Sequence, residues 1–204
     1  MDVPDLLEAA ALLVPEGSVT ELDITVADVR DYLNHNEWEV ALDLLEELGD
    51  VQPLPLGFWE TLATAAEQMR LETSAAWCRW RCHETRNGIV RAELTLRSAT
   101  EARRQEPIPS PGVLRPMWDI GNRTPAGEPA LHIARLWIEH TPSLAPGEQA
   151  SARLAPLAPQ HWQHLEPGQV ITMHEDRSVA GTAVVLEVRW PTAPTNRGSG
   201  AHHR

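Results

Sequence analysis

The chain has 204 residues, 42% of them hydrophobic, and carries 29 acidic against 17 basic side chains, a formal net charge of −12. That length holds one large domain or two small ones. Every basic residue is Arg, which excludes the lysine-dependent phosphate loop, Schiff-base and kinase chemistries.

The charge is unevenly spread. Residues 1–76 hold 17 acids and 2 Arg, residues 77–115 hold 4 acids and 8 Arg, and residues 116–204 hold 8 acids and 7 Arg. Two domains fit this better than one, with the acidity confined to the first. No apolar run is long enough to span a bilayer, and the early run from Leu6 to Val14 is broken by Glu8, so it does not read as a signal peptide. With only two cysteines, Cys78 and Cys82, the expectation is a soluble, reduced, cytoplasmic protein without membrane contact.

In chain order, residues 1–19 read as a loosely ordered arm or a short helix, Pro4 to Leu13, ending at Val14-Pro15-Glu16-Gly17. Thr25 with Asp28 is a capping-box variant, and Val26, Val29 and Leu33 follow at helical spacing. Asn36 with Glu39 three residues on predicts the cap of the next helix. Its Val40, Ala41, Leu44, Leu45 and Leu48 form one stripe that Gly49 is expected to stop. Two prolines keep VQPLPLG extended. A third helix is predicted from about Phe58, with Phe58, Leu62, Ala65, Ala66 and Met69 inward. A fourth starts near Thr73 or Ser74 and runs to the Asn87-Gly88 stop. Residues 20–87 are thus expected to form a small acidic helical bundle.

After Gly88 the period becomes two. Val90, Ala92, Leu94 and Leu96 alternate with Arg91, Glu93, Thr95 and Arg97, a half-buried strand. A polar stretch over 98–112 follows, then strands over 114–120, 130–140 and 148–157. Finally LEPGQVITMHEDRSVAGTAVVLEV reads as a hairpin, with the wet corner Glu175-Asp176-Arg177-Ser178 between its strands. Six antiparallel strands over 89–190 predict a barrel, which removes exposed edges. The fold class is therefore α+β, a helical bundle followed by a six-stranded antiparallel β-barrel, with 191–204 disordered by composition.

Two stretches resemble known families. VADVRDYLNHNEWEVALDLLEELGD followed by PLPLGFWETLATAAEQMRL, about residues 24–72, resembles the Maf-type immunity proteins of bacterial toxin systems. Those proteins share a polar corner before an acidic residue, a Leu-Ala-Leu-rich second helix and a third helix ending near Gly-Leu. Arg70-Leu71 stands at that last position here. The order of punctuation over 89–189 resembles the C-terminal barrel of elongation factor Tu. Arg115-Pro116 matches the pair opening its second strand, Pro167-Gly168 its Pro-Gly step, and Ala180-Gly181-Thr182-Ala183 its small-residue run. Residues 1–88 do not read as a GTPase domain, so that family's nucleotide switch is not expected here. Glu106-Pro107 stand where that family has the Arg-His pair touching the tRNA stem, unless a shift brings in Arg103-Arg104. The resemblance implies the barrel more strongly than it implies RNA binding.

No catalytic motif is present, so no catalytic residue is named and the protein is expected not to be an enzyme. Cys78, Cys82 and His83 lack the spacing of a zinc set, since neighbouring helical residues point about 100° apart. Neither a metal nor a cofactor is expected. His161 and His164 in HWQH read as surface residues near a turn, and most of the eight Trp as core. The acidic cluster is the stronger signal. Asp23, Asp28, Asp31, Glu37, Glu39, Asp43, Glu46, Glu47 and Asp50 fall within 28 residues with Arg30 as the only Arg among them. Such a density repels itself, and a basic partner relieves it. The expected partner face is Asp28, Asp31, Glu37, Glu39, Asp43, Glu46, Glu47 and Asp50. The function it suggests is non-enzymatic neutralisation of a basic partner, a cognate toxin in the immunity reading, with the barrel as docking module. The alternative is a translation-related module that meets RNA or the translation machinery through Arg103, Arg104, Arg115 and Arg123.

Overall fold

A computed structural model describes residues 1–176 and 178–191. The tail expected to be disordered lies, from residue 192 onward, outside the described residues. Five helices precede a closed, six-stranded antiparallel barrel, an α+β fold. Among the described residues no helix is long and apolar enough to cross a membrane.

The helices are α1 (Val3–Ala11), α2 (Val26–Asn34), α3 (Trp38–Val51), α4 (Leu56–Gln68) and α5 (Glu72–Asn87). The N-terminal segment forms a helix whose Leu7 is 0% exposed and whose Leu6, Ala10 and Ala11 join the same core as Leu42, Leu45, Phe58 and Leu62. At α2 the carboxylate of Asp28 accepts from both the Thr25 amide (2.8 Å) and the Thr25 hydroxyl (2.7 Å). Those bonds hold its pKa below the ordinary value.

Two expectations at α3 are corrected. Asn36 is not its cap: Glu37 occupies that position, and Asn36 ends the preceding turn in the left-handed region at φ 61°. Asn tolerates that conformation better than most residues. Nor does Gly49 stop the helix. It lies within α3, where a Cβ would collide with the Trp59 ring, so its smallness serves close helix packing. Arg70, at the position where the resembled immunity proteins tend to have Gly, adopts φ 62°.

The barrel strands are β1 (Ile89–Leu96), β3 (Met117–Arg123), β4 (Pro129–Ile138), β6 (Gln149–Pro156), β7 (Val170–Glu175) and β8 (Ser178–Arg189), hydrogen-bonded in the closed order β1-β6-β4-β3-β7-β8. The second barrel strand starts at Met117 rather than residue 114. Before it, the Leu114 and Pro116 carbonyls accept from Leu136 and Ala134 on β4 outside regular pairing. The polar stretch also contains β2 (Ile108–Pro109), paired with β5 (Ser143–Leu144). Inside the barrel Val90, Leu94, Trp118, Leu136, Leu154 and Met173 pack together, and Trp162 joins the same core.

Helices and barrel meet through α5 and the outer face of β4 and β6. Trp80, Ile89, Trp137 and Ala155 form an apolar cluster there. Beside it, Arg153 of β6 reaches Glu139 at 2.6 Å, Glu84 of α5 at 2.7 Å and Asp50 of α3 at 3.3 Å. Arg81 joins the same carboxylates, bonding Asp50 and lying 3.1 Å from Glu84. Burial alone would raise the Glu139 carboxyl, but Arg153 and Arg91 carry it below the ordinary carboxylate value.

Candidate functional site

Helix α3 has two faces of opposite character. Ala41, Leu42, Leu45 and Leu48 are buried. The i, i+3/i+4, i+7 spacing then puts Asp43, Glu46, Glu47 and Asp50 along one opposite row. That row forms one wall of a cleft of about 430 Å³. Thr73, Ser74 and Trp77 of α5 form the second wall, and Trp137, Glu139 and His140 from the end of β4 close it. An adjoining cavity of about 380 Å³ shares Glu47, Asp50, Glu139 and His140 and adds Glu21 together with Arg91 and Arg153. The two make one acidic groove along the junction of helices and barrel.

The groove's carboxylates are not equivalent. Asp50 is neutralised by Arg81 and Arg153, and Glu139 by Arg153 and Arg91, so they anchor the floor. Asp43, Glu46 and Glu47 have no ion-pair partner among the described residues. Burial pushes the Glu46 carboxyl up to about 7, against a bond from the Cys78 thiol at 3.5 Å. Burial also raises the Cys78 thiol, which keeps it protonated and donating. For Asp43 the upward shift comes from burial and then from Glu39, one turn earlier on the row. Trp77 and Trp137 lie 5.1 Å apart at the groove wall. The Trp77 ring already takes the Arg81 guanidinium at 5.2 Å and that of Arg153 at 5.1 Å, so it is the unpaired carboxylates of the row that attract a cation.

The eight acids of the sequence-predicted face therefore separate. Glu39, Asp43, Glu46, Glu47 and Asp50 share the α3 row. Asp28 is consumed by the α2 cap, Asp31 lies 3.8 Å from the His35 ring, and Glu37 sits at the α3 N-cap. Sequence reasoning missed Trp77, Trp137, Glu139 and His140, because no local pattern tells which barrel strand faces which helix.

The four arginines of the RNA alternative do not gather. Arg103 pairs with Asp176 at 3.4 Å, Arg104 with Glu175 through two nitrogens, and Arg123 with Asp119 at 3.1 Å. Only Arg115 among them is exposed without an ion-pair partner among the described residues. Cys78 and Cys82 are free and buried, and the described residues contain no cluster of three His, Cys, Asp or Glu able to hold a metal ion.

The chain matches no family model and no curated protein.

Proposed function

We propose that the chain is a non-enzymatic binding protein whose junction groove takes a basic segment of a protein partner, in the manner of an immunity protein that blocks a basic toxin. The observation that carries this is the row Asp43, Glu46 and Glu47, three carboxylates without a cationic partner on one wall of a groove of opposite-charge preference. The resemblance of residues 24–72 to Maf-type immunity proteins gives the class of partner, and the barrel supplies the facing wall. Carboxylates in this row take the place that substrate phosphates occupy in a nuclease-like site and block it without chemistry. Close charge pairs across protein interfaces couple by about 1.5 to 7 kcal/mol, so two or three are enough for a specific complex.

The test uses cells that express a basic toxin encoded beside this chain. Wild-type chain protects them, and Asp43→Arg with Glu47→Arg, both exposed positions, abolishes protection while the circular-dichroism spectrum stays unchanged. Binding is also pH-dependent. Glu46 carries a full charge only above about 7, so affinity rises as pH increases through that value, and Glu46→Gln removes the rise. Protection by the double Arg variant overturns the proposal.

A further inference from the structure

At the barrel end away from this chemistry, the segment following β6 turns through Pro159–His161 and inserts Trp162, 0% exposed, and Leu165 into the barrel core. Its side-chain ties to the barrel wall run through three imidazoles and one amide. The Asn122 Nδ2 group of β3 donates one hydrogen toward His132 Nε2 of β4 at 3.0 Å and the other to the His161 carbonyl at 3.1 Å. The His161 ring stacks on the His132 ring at 4.6 Å between centroids. The third imidazole, His164, donates through Nε2 to the Ile120 carbonyl at 2.8 Å.

We propose that this segment is an acid-released latch on the barrel end, opened when His132 takes up a proton. Because an amide N–H group faces it, His132 Nε2 must present a lone pair, which fixes the neutral tautomer with hydrogen on Nδ1. A proton on Nε2 sets donor against donor. Rotating the Asn122 amide to offer its oxygen instead places that oxygen against the His161 carbonyl, so the same proton breaks both bonds. It also puts a cation beside the stacked His161 ring. His164 behaves differently, because its bond uses Nε2–H and survives protonation.

The surrounding charges do not rescue the protonated ring. From β3, Asp119 and Arg123 are paired with each other at 3.1 Å. The latch contributes His161 and His164, and no carboxylate pairs with His132 among the described residues. Burial, then His161 and His164, hold its pKa below the ordinary imidazole value. The closed state therefore favours neutral His132, so closure is complete above the free-imidazole value of about 6.5 and weakens as pH falls below it. Opening also frees the Trp162 indole N–H, which is buried without an acceptor among the described residues, to reach water.

Amide hydrogen exchange of the full chain, corrected for the intrinsic pH dependence of exchange, tests the latch between pH 7.5 and 5.5. The expected result is an opening equilibrium at Trp162 and Leu165 that rises by up to about tenfold per pH unit, the limit for one linked proton, while Val90 and Leu94 of β1 do not change. In His132→Gln, whose side-chain oxygen still accepts from Asn122, the rise disappears; in His164→Gln it remains. No rise in the wild type, a rise shared by β1, or a rise that persists in His132→Gln overturns the proposal. Should His132→Gln fail to fold, the wild-type imidazole resonances decide: opening must track the titration of His132, and tracking that of His161 or His164 instead refutes the latch.

Discussion

Single residues whose sequence signal points one way and whose structural job is another are instructive at α3. Asn36 carries the sequence signature of a cap, three residues before Glu39, yet its backbone sits at φ 61° and the helix begins one residue later. Both jobs select Asn, so the pattern alone cannot separate them. Substitution can. A left-handed position strains Ala and Ser alike, by about 1 kcal/mol on the scale of the left-handed penalty, and accepts Gly. A cap position would accept Ser and lose stability with Ala. Urea denaturation is expected to show Asn36→Ala and Asn36→Ser both destabilised by about 1 kcal/mol and Asn36→Gly at least as stable as wild type. An unaffected Ser variant would restore the capping role.

Among the elements, helix and strand types were legible because each carries its own period. The limits of α5, β1, β6 and β8 lie within two residues of their expected positions. What period two leaves open is which face of a strand turns inward when both are apolar. In β8, Ala183 and Val185 face the barrel core, while Val184 is 41% and Leu186 45% exposed. Pairing decides this: β8 crosses β1 with a bulge between Arg91 and Ala92, setting Ala92 opposite Val185 inside. The β2–β5 pair was missed because two residues show no period. Thermal unfolding separates the faces: Val185→Ala is expected to lose about 1 to 3 kcal/mol from the core, and Val184→Thr to stay within about 0.5 kcal/mol of wild type. Equal losses would mean that the outer face of β8 is also covered.

In the whole molecule, the helices and the barrel were legible from their periods and the way they join was not. Local patterns show that Arg153 lies on a strand, but not that its guanidinium ends among carboxylates from α3, α5 and β4. Its side chain is 5% exposed, as is that of Glu139. The same network explains why Asp50, one of the acids of the predicted face, is not free for a partner: it belongs to the junction, and the free row begins above it. Breaking one partner of a buried charge cluster leaves the others uncompensated. Arg153→Ala removes the shared cation from Glu84, Glu139 and Asp50, and is expected to cost about 3 to 5 kcal/mol. Helical ellipticity and barrel amide exchange are expected to follow one transition in the wild type and to separate in that variant, because the link between the units is lost first. Adding Glu139→Gln removes one of the orphaned charges and should recover part of the loss. If Arg153→Ala unfolds at the wild-type midpoint with both signals still coincident, the apolar cluster of Trp80, Ile89, Trp137 and Ala155 joins the units by itself, and the groove keeps its shape without the ionic floor.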